Sequence, residues 1–163
     1  MNEMWDLALR SVLLGVGGTA AMDLWMLLMK YSFGISPIDY ARIGRWICNF
    51  PSGRVVHDNI DDVPRVHGEG PLGWTVHYAF GVAMAAILIG YCGPAWLVNP
   101  TLLPPLIVGV MTILIPLAVI QPAFGMGFAA SKVPNAAFAR MRSLMTHVAF
   151  GLGLYVTAWL CAW

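Results

Sequence analysis

Residues 72–131 contain no aspartate, glutamate, lysine or arginine. A water-soluble domain does not carry so long a stretch without charge, because its outward faces need polar groups. The imbalance extends over the whole chain of 163 residues, which is 59% hydrophobic and 10% charged, so an ordinary soluble enzyme is excluded. Ten of the charged residues fall within 30–69, and 12–29 holds only Asp23. Such segregation marks membrane spans separated by a wet loop. Nine basic against eight acidic residues leave a net charge of +1, too little to hold DNA or RNA, so nucleic acid is not an expected partner.

A bilayer core of roughly 30 Å is crossed by about 20 helical residues. Four segments qualify, at about 7–29, 72–91, 102–120 and 144–163, with a loop of about 30–71 after the first. No segment alternates polar and apolar residues as a barrel strand does. The expected fold is therefore all-α, an integral membrane four-helix bundle formed by one transmembrane domain over 1–163. Pro71 opens the second span, where its missing N–H costs little, and Asn99-Pro100-Thr101 turns the chain tightly into the third. Pro116 lies inside the third span and is expected to free the Thr112 carbonyl and kink the helix. Glu3 and Asp6 precede the first span without a cleavage pattern, so no secretory signal is expected. Cys48, Cys92 and Cys161 follow no metal or disulfide spacing and are expected to be inert.

Lysine and arginine are retained on the cytoplasmic side. The loop after span one has Lys30, Arg42, Arg45, Arg54 and Arg65, the loop after span three has Lys132, Arg140 and Arg142, and the opposite side has only Arg10. Both loops should face the cytoplasm and both termini the opposite side.

The first loop exceeds a connector. Ser36-Pro37-Ile38-Asp39 reads as a helix start with Ser36 as N-cap. Ile43, Trp46, Ile47 and Phe50 follow at helical spacing, flanked by Arg42 and Arg45. Two placements remain open: an amphipathic interfacial helix with its arginines near lipid phosphate and its Trp at headgroup depth, or a lid packed on the bundle. Residues 51–71 then read as turns.

Spans two and four repeat a pattern, His77-Tyr78-Ala79-Phe80-Gly81 and His147-Val148-Ala149-Phe150-Gly151. The repetition fits two parallel helical hairpins related about an axis along the membrane normal. Each histidine lies roughly 6–9 Å inside the cytoplasmic end of its span. Asp23 costs about 2.5–3.5 kcal/mol inside a span unless neutral, paired or hydrated. Gly15, Thr19 and Asp23 share one helical stripe, which turns Asp23 inward. Gln121 ends the third span, so each span sends one polar side chain toward the cytoplasmic half: Asp23, His77, Gln121 and His147.

Three functions fit this quartet. It could bind or transport a small or lipid-like ligand, with Asp23 accepting charge or protons, the histidines exchanging them and Gln121 orienting the ligand. It could form a membrane-embedded metal- or haem-dependent enzyme, the two histidines ligating iron. It could also serve only as contacts between packed helices in a structural or assembly subunit. In the loop, His57, Asp58 and Glu69 are candidates for the cytoplasmic mouth, and His57, Asp58, His67 and Glu69 are weak candidates for a metal. Residues 121–132 are rich in Gly and carry a Pro, as a broken helix lining a polar cavity would. No nucleophile elbow, Walker loop, GxGxxG or HExxH motif is present. Neither a cofactor nor a protein partner is specified by these residues; the lipid bilayer is.

The chain resembles a family of small bacterial inner-membrane proteins of about this length, defined only as a domain of unknown function. The resemblance rests on Ala21-Met22-Asp23-Leu24-Trp25, Gly44-Arg45-Trp46, Gly53-Arg54 with His57-Asp58, and Gly68-Glu69 before Leu72-Gly73-Trp74 and His77-Tyr78. It continues through Gln121-Pro122, the Ala-Ala-Ser131 segment, Arg142-Ser143-Leu144, His147 and Phe150-Gly151. It implies a multi-pass protein of the bacterial inner membrane, which makes the side of both termini the periplasm, and it implies no activity.

Overall fold

A computed structural model describes residues 3–162. The architecture is all-α, with no strand among the described residues. Helix α1 is Glu3–Phe33, α2 Ala41–Cys48, α3 Glu69–Cys92, α4 Leu103–Thr112, α5 Gln121–Ala123 and α6 Ala136–Leu160. Among the described residues four segments are long and apolar enough to cross a membrane: Met4–Phe33, Glu69–Cys92, Leu103–Ala123 and Ala136–Leu160.

The helices outrun the apolar runs that announce them. Helix α1 continues past residue 29 until Gly34 takes φ +68°, its N–H still bonded to the Lys30 carbonyl at 3.0 Å. Helix α6 begins eight residues before the expected 144, where the Asn135 side chain accepts the Phe138 N–H at 3.1 Å. Arg140 and Arg142 thus ride on helical turns rather than in a loop, because charge ends an apolar stretch without ending a helix. Trp163, the last residue of the expected fourth span, lies outside the described residues. The predicted helix start at Ser36 is corrected: α2 begins at Ala41, and Asp39 supplies the carboxylate oxygen that accepts the Ala41 N–H at 3.0 Å. At Pro116 the third span changes register through a π-helical turn, Pro116–Ile120, before closing as α5.

The chain divides into two compact units. The first comprises Met1–Pro37, Tyr78–Met111 and Thr146–Trp163, within the described residues. Its core joins Leu14, Leu88, Phe150 and Leu154, all buried. Lipid offers no hydrophobic drive to hold helices together, so close approach through small residues does that work. Gly15 of α1 lies against the backbone of Gly81 and Val82 in α3, and Gly109 of α4 lies against the His147 carbonyl and Gly151 in α6. In each expected hairpin the glycine closing the repeated His-x-Ala-Phe-Gly pattern therefore meets a glycine of the other helix. Thr19 sits beside Gly81 and donates its hydroxyl to the Gly15 carbonyl at 2.7 Å, which satisfies the group without a cross-helix partner.

The second unit comprises Ile38–His77 and Thr112–Met145. Ile60, Ala123 and Phe124 are buried at its centre, with Ile43, Trp46, Val63 and Ile120 packed around them. The loop is stitched to the end of the third span by His57 N–H to the Ala123 carbonyl at 2.9 Å and Ile60 N–H to the Phe124 carbonyl at 3.3 Å. Gly125, at φ +84°, lies where a side chain would strike the Asp58 carbonyl.

Replacing Gly15 with Val is expected to destabilise the protein by about 1–3 kcal/mol, the usual cost of overpacking. A Gly90→Ala control, at a helical position with open space around it, should leave stability equal or slightly higher. Thermal unfolding in detergent, followed by tryptophan fluorescence, measures both.

Candidate functional site

The second unit is organised around one charged contact. Gly44 has no side chain, so α2 comes down directly on the Glu69 carbonyl, and Gly73 likewise admits the Tyr40 carbonyl. This approach delivers the neighbour of Gly44, Arg45, into the unit with 5% of its side chain exposed against 10% for Glu69. Arg45 donates from Nε to Glu69 Oε2 and from Nη2 to Oε1, both at 2.8 Å, the two-pronged geometry that guanidinium and carboxylate share. Its Nη1 donates to the Ile60 and Val63 carbonyls at 3.1 and 3.3 Å. Glu69 Oε2 also accepts the Val66 N–H at 2.9 Å. Hydrogen bonding to Glu69 raises the Arg45 pKa above its ordinary value, so the guanidinium stays charged despite burial.

These contacts pack the loop helix within the second unit. Arg45, one of the two flanking arginines, holds a buried carboxylate, and Trp46 donates its indole N–H to the Val55 carbonyl at 2.6 Å with its ring edge-on to Phe50. Of the mouth candidates, Glu69 is consumed by Arg45, Asp58 is exposed and His57 is buried. His67 is exposed, and among the described residues no three His, Cys, Asp or Glu groups come together to hold a metal ion, so the metal candidates do not form a ligand set.

The expected quartet divides between the units: Asp23 and His147 belong to the first, His77 and Gln121 to the second. Asp23, half-buried, accepts a hydrogen bond from the Tyr78 hydroxyl at 2.8 Å, which joins α1 to α3. The carbonyl of His147 lies at the Gly109 crossing of α4 and α6. In the second unit the His77 imidazole stacks on the Tyr40 ring, centroids 3.9 Å apart, with Trp74 at 5.9 Å. Gln121 follows the π-helical turn directly, and its Oε1 is buried without a hydrogen-bond partner. His57, 9% exposed, has a buried Nε2 in the same condition. Arg42 gives Nη2 to Asp61 at 2.8 Å while its buried Nε is likewise unmatched.

Beyond Gln121 the backbone is strained. Ala129 and Ala130 take φ +49° and +58°, the left-handed region that favours glycine. Arg140 Nε holds the turn by donating to the Ala129 carbonyl at 2.7 Å.

Sequence reasoning missed Arg45 as a buried group and Tyr78, Tyr40 and Arg42 as partners. The signal for Arg45 was its neighbour: a glycine inside a short amphipathic helix announces a close backbone approach, which carries the next side chain inside. Tyr78 was visible as the one polar difference between the repeats, where the second copy has Val148.

Four helices of span length and apolar character place this chain among multi-pass membrane proteins. The family model described as a protein of unknown function, DUF2938, matches residues 12–161, and the chain belongs to that family. No curated protein and no solved structure matches it.

Arg45→Met is expected to lose about 3–5 kcal/mol of stability, since it strands the Glu69 carboxylate in a dry site. The double variant Arg45→Met, Glu69→Leu should recover most of that loss, because the remaining cost of burying charge disappears with the charge. A double-mutant cycle on chemical unfolding checks the coupling; additive losses would contradict it.

Proposed function

We propose that this multi-pass protein binds, and handles protons with, a small or lipid-like molecule at polar groups of its spans and loop. The observation that supports the reading best is the pair of buried atoms without partners, Gln121 Oε1 and His57 Nε2, in one unit. Native folds leave few such atoms, and each costs about 1–3 kcal/mol. Segments carrying the two are bonded together through His57 N–H and the Ala123 carbonyl. A ligand that satisfies them must donate to the glutamine oxygen, while the imidazole nitrogen accepts or donates according to its tautomer. A hydroxyl or amine group meets both demands. Asp23, His77 and His147 are the proton-exchanging partners in this reading, each acting within its own unit.

The Asp23–Tyr78 hydrogen bond favours a second reading for that pair alone, as a contact that holds α1 to α3. We further propose that the chain acts as one domain of the bacterial inner membrane with both termini in the periplasm, because eight basic residues against one fall on the opposite side.

Gln121→Leu should remove the small molecule or lipid that mass spectrometry finds in the purified protein, while raising the stability of the stripped protein by about 1 kcal/mol as an unmatched acceptor is replaced by an apolar group. A wild-type protein that carries no such compound, or a variant that keeps it, overturns the reading. For the orientation, alkaline phosphatase fused after Trp163 should be active and green fluorescent protein at the same position dark.

A further inference from the structure

Glu69 is the last acidic residue of the sequence, and the charges that follow it are Lys132, Arg140 and Arg142. Two of them, Lys132 and Arg140, are attached to a single turn of the second unit. Arg140, exposed on α6, donates from Nε to the Ala129 carbonyl at 2.7 Å. Lys132, also exposed, closes the same turn with its N–H on the Met126 carbonyl at 3.0 Å, and its stem lies over Gly127. Among the described residues no carboxylate pairs with either cation.

The positive-side rule explains why such charges stand at the end of a span, and it asks for no fixed geometry. Here the geometry is fixed. Ala129 and Ala130 are both left-handed, and the Ala129 carbonyl pins the Arg140 guanidinium by its Nε. Both Nη groups are left for another acceptor, and a guanidinium held in one plane takes a phosphate with two prongs. The depth argues for lipid as the source of that phosphate. Segment Leu103–Ala123 ends just before Met126, and Arg140 lies only about 6 Å inside the start of segment Ala136–Leu160. Large apolar side chains are exposed beside the cations: Phe128 on the turn, Met141 next to Arg140, and Leu144 one helical turn deeper on its face. Charge above exposed hydrocarbon at the end of a span matches a headgroup above its acyl chains. The geometry points to a site where Arg140 and Lys132 hold the phosphodiester of one anionic phospholipid, its chains lying over Met141 and Leu144. This site uses none of the residues invoked for the ligand above and stands independently of that reading.

The test is native mass spectrometry of the full chain released from vesicles of equal phosphatidylethanolamine and phosphatidylglycerol. Wild type should retain one phospholipid and favour phosphatidylglycerol. Lys132→Gln should lower that preference about fivefold, the effect of one basic residue near a membrane surface. Arg140→Lys keeps the charge and loses the fork, so it should lower the preference severalfold, whereas a diffuse attraction would not register the exchange. Arg54→Gln, which removes an exposed arginine from the loop of the same unit, should leave the preference unchanged. Inorganic phosphate, compared with chloride at equal ionic strength, should not displace the lipid. Retention of no phospholipid by wild type, an unchanged preference in Lys132→Gln or in folded Arg140→Lys, or an equal fall in Arg54→Gln overturns the proposal. So does displacement by inorganic phosphate, which would make free phosphate the ligand. Should Arg140→Lys not fold, Lys132→Gln against Arg54→Gln decides alone, since both alter exposed side chains.

Discussion

A carboxylate that cannot reach water must be met by a cation, and Glu69 has been given Arg45 with every available prong used. Much of the second unit follows from that demand. Two glycines, Gly44 and Gly73, exist at the places where a methyl group would hold α2 away from α3. The same guanidinium gathers the Ile60 and Val63 carbonyls, so a loop that would otherwise carry unsatisfied backbone groups is tied to the pair. Compared with apolar residues of the same size, such a pair adds little net stability, because desolvation offsets attraction. Its effect is on choice: compact arrangements of the loop that bury Glu69 away from Arg45 leave a carboxylate uncompensated and are costly.

In the first unit the corresponding constraint is steric. Gly15 against Gly81 and Gly109 against Gly151 are equivalent crossings in the two copies of the repeat, which puts the duplicated pattern to structural use. Counting along α1 and the third span from those glycines, Thr19 corresponds to Ile113 and Asp23 to Leu117, just as Tyr78 corresponds to Val148. The Asp23–Tyr78 hydrogen bond therefore belongs to the first hairpin alone. Both of its members are apolar in the other copy, the pattern of a pair that is present or absent together, because either half by itself is a polar group in a span.

Span number and helical class were legible because hydrocarbon leaves few alternatives: a long uncharged run can satisfy its backbone only as a helix. Helix ends were not legible from hydropathy. Arg140 and Arg142 mark where the apolar run of α6 stops, whereas Asn135 marks where its hydrogen bonds start. Similarly, Ser36-Pro37 has the composition of a cap, yet Asp39 wins the role because its oxygen reaches the Ala41 N–H. The fate of Arg45 depended on Glu69, a residue 24 positions away. Periodicity reports one helix at a time and carries no record of such a partner. Among the site candidates, Gln121 and His57 were named for their position at the end of a span and in the loop; that each would hold an unmatched buried atom depends on packing, which spacing does not encode.

The distribution of unfavourable features separates the units. Among the described residues the buried side-chain atoms without partners, on Arg42, His57 and Gln121, lie in the second unit. So do the π-helical turn before Gln121 and the left-handed Ala129 and Ala130 after it. A left-handed alanine costs roughly 1–2 kcal/mol, an unmatched buried polar atom about 1–3 kcal/mol, and each could be removed by a single substitution: alanine to glycine, glutamine to leucine. A fold selected for packing alone would lose them, because marginal stability makes every such term count. The π-helical turn, Gln121 and the two left-handed alanines fall within one short segment, from Pro116 to Ala130, to which the loop carrying His57 is bonded through the Ala123 carbonyl, and strain gathered in this way is the feature on which the ligand proposal rests.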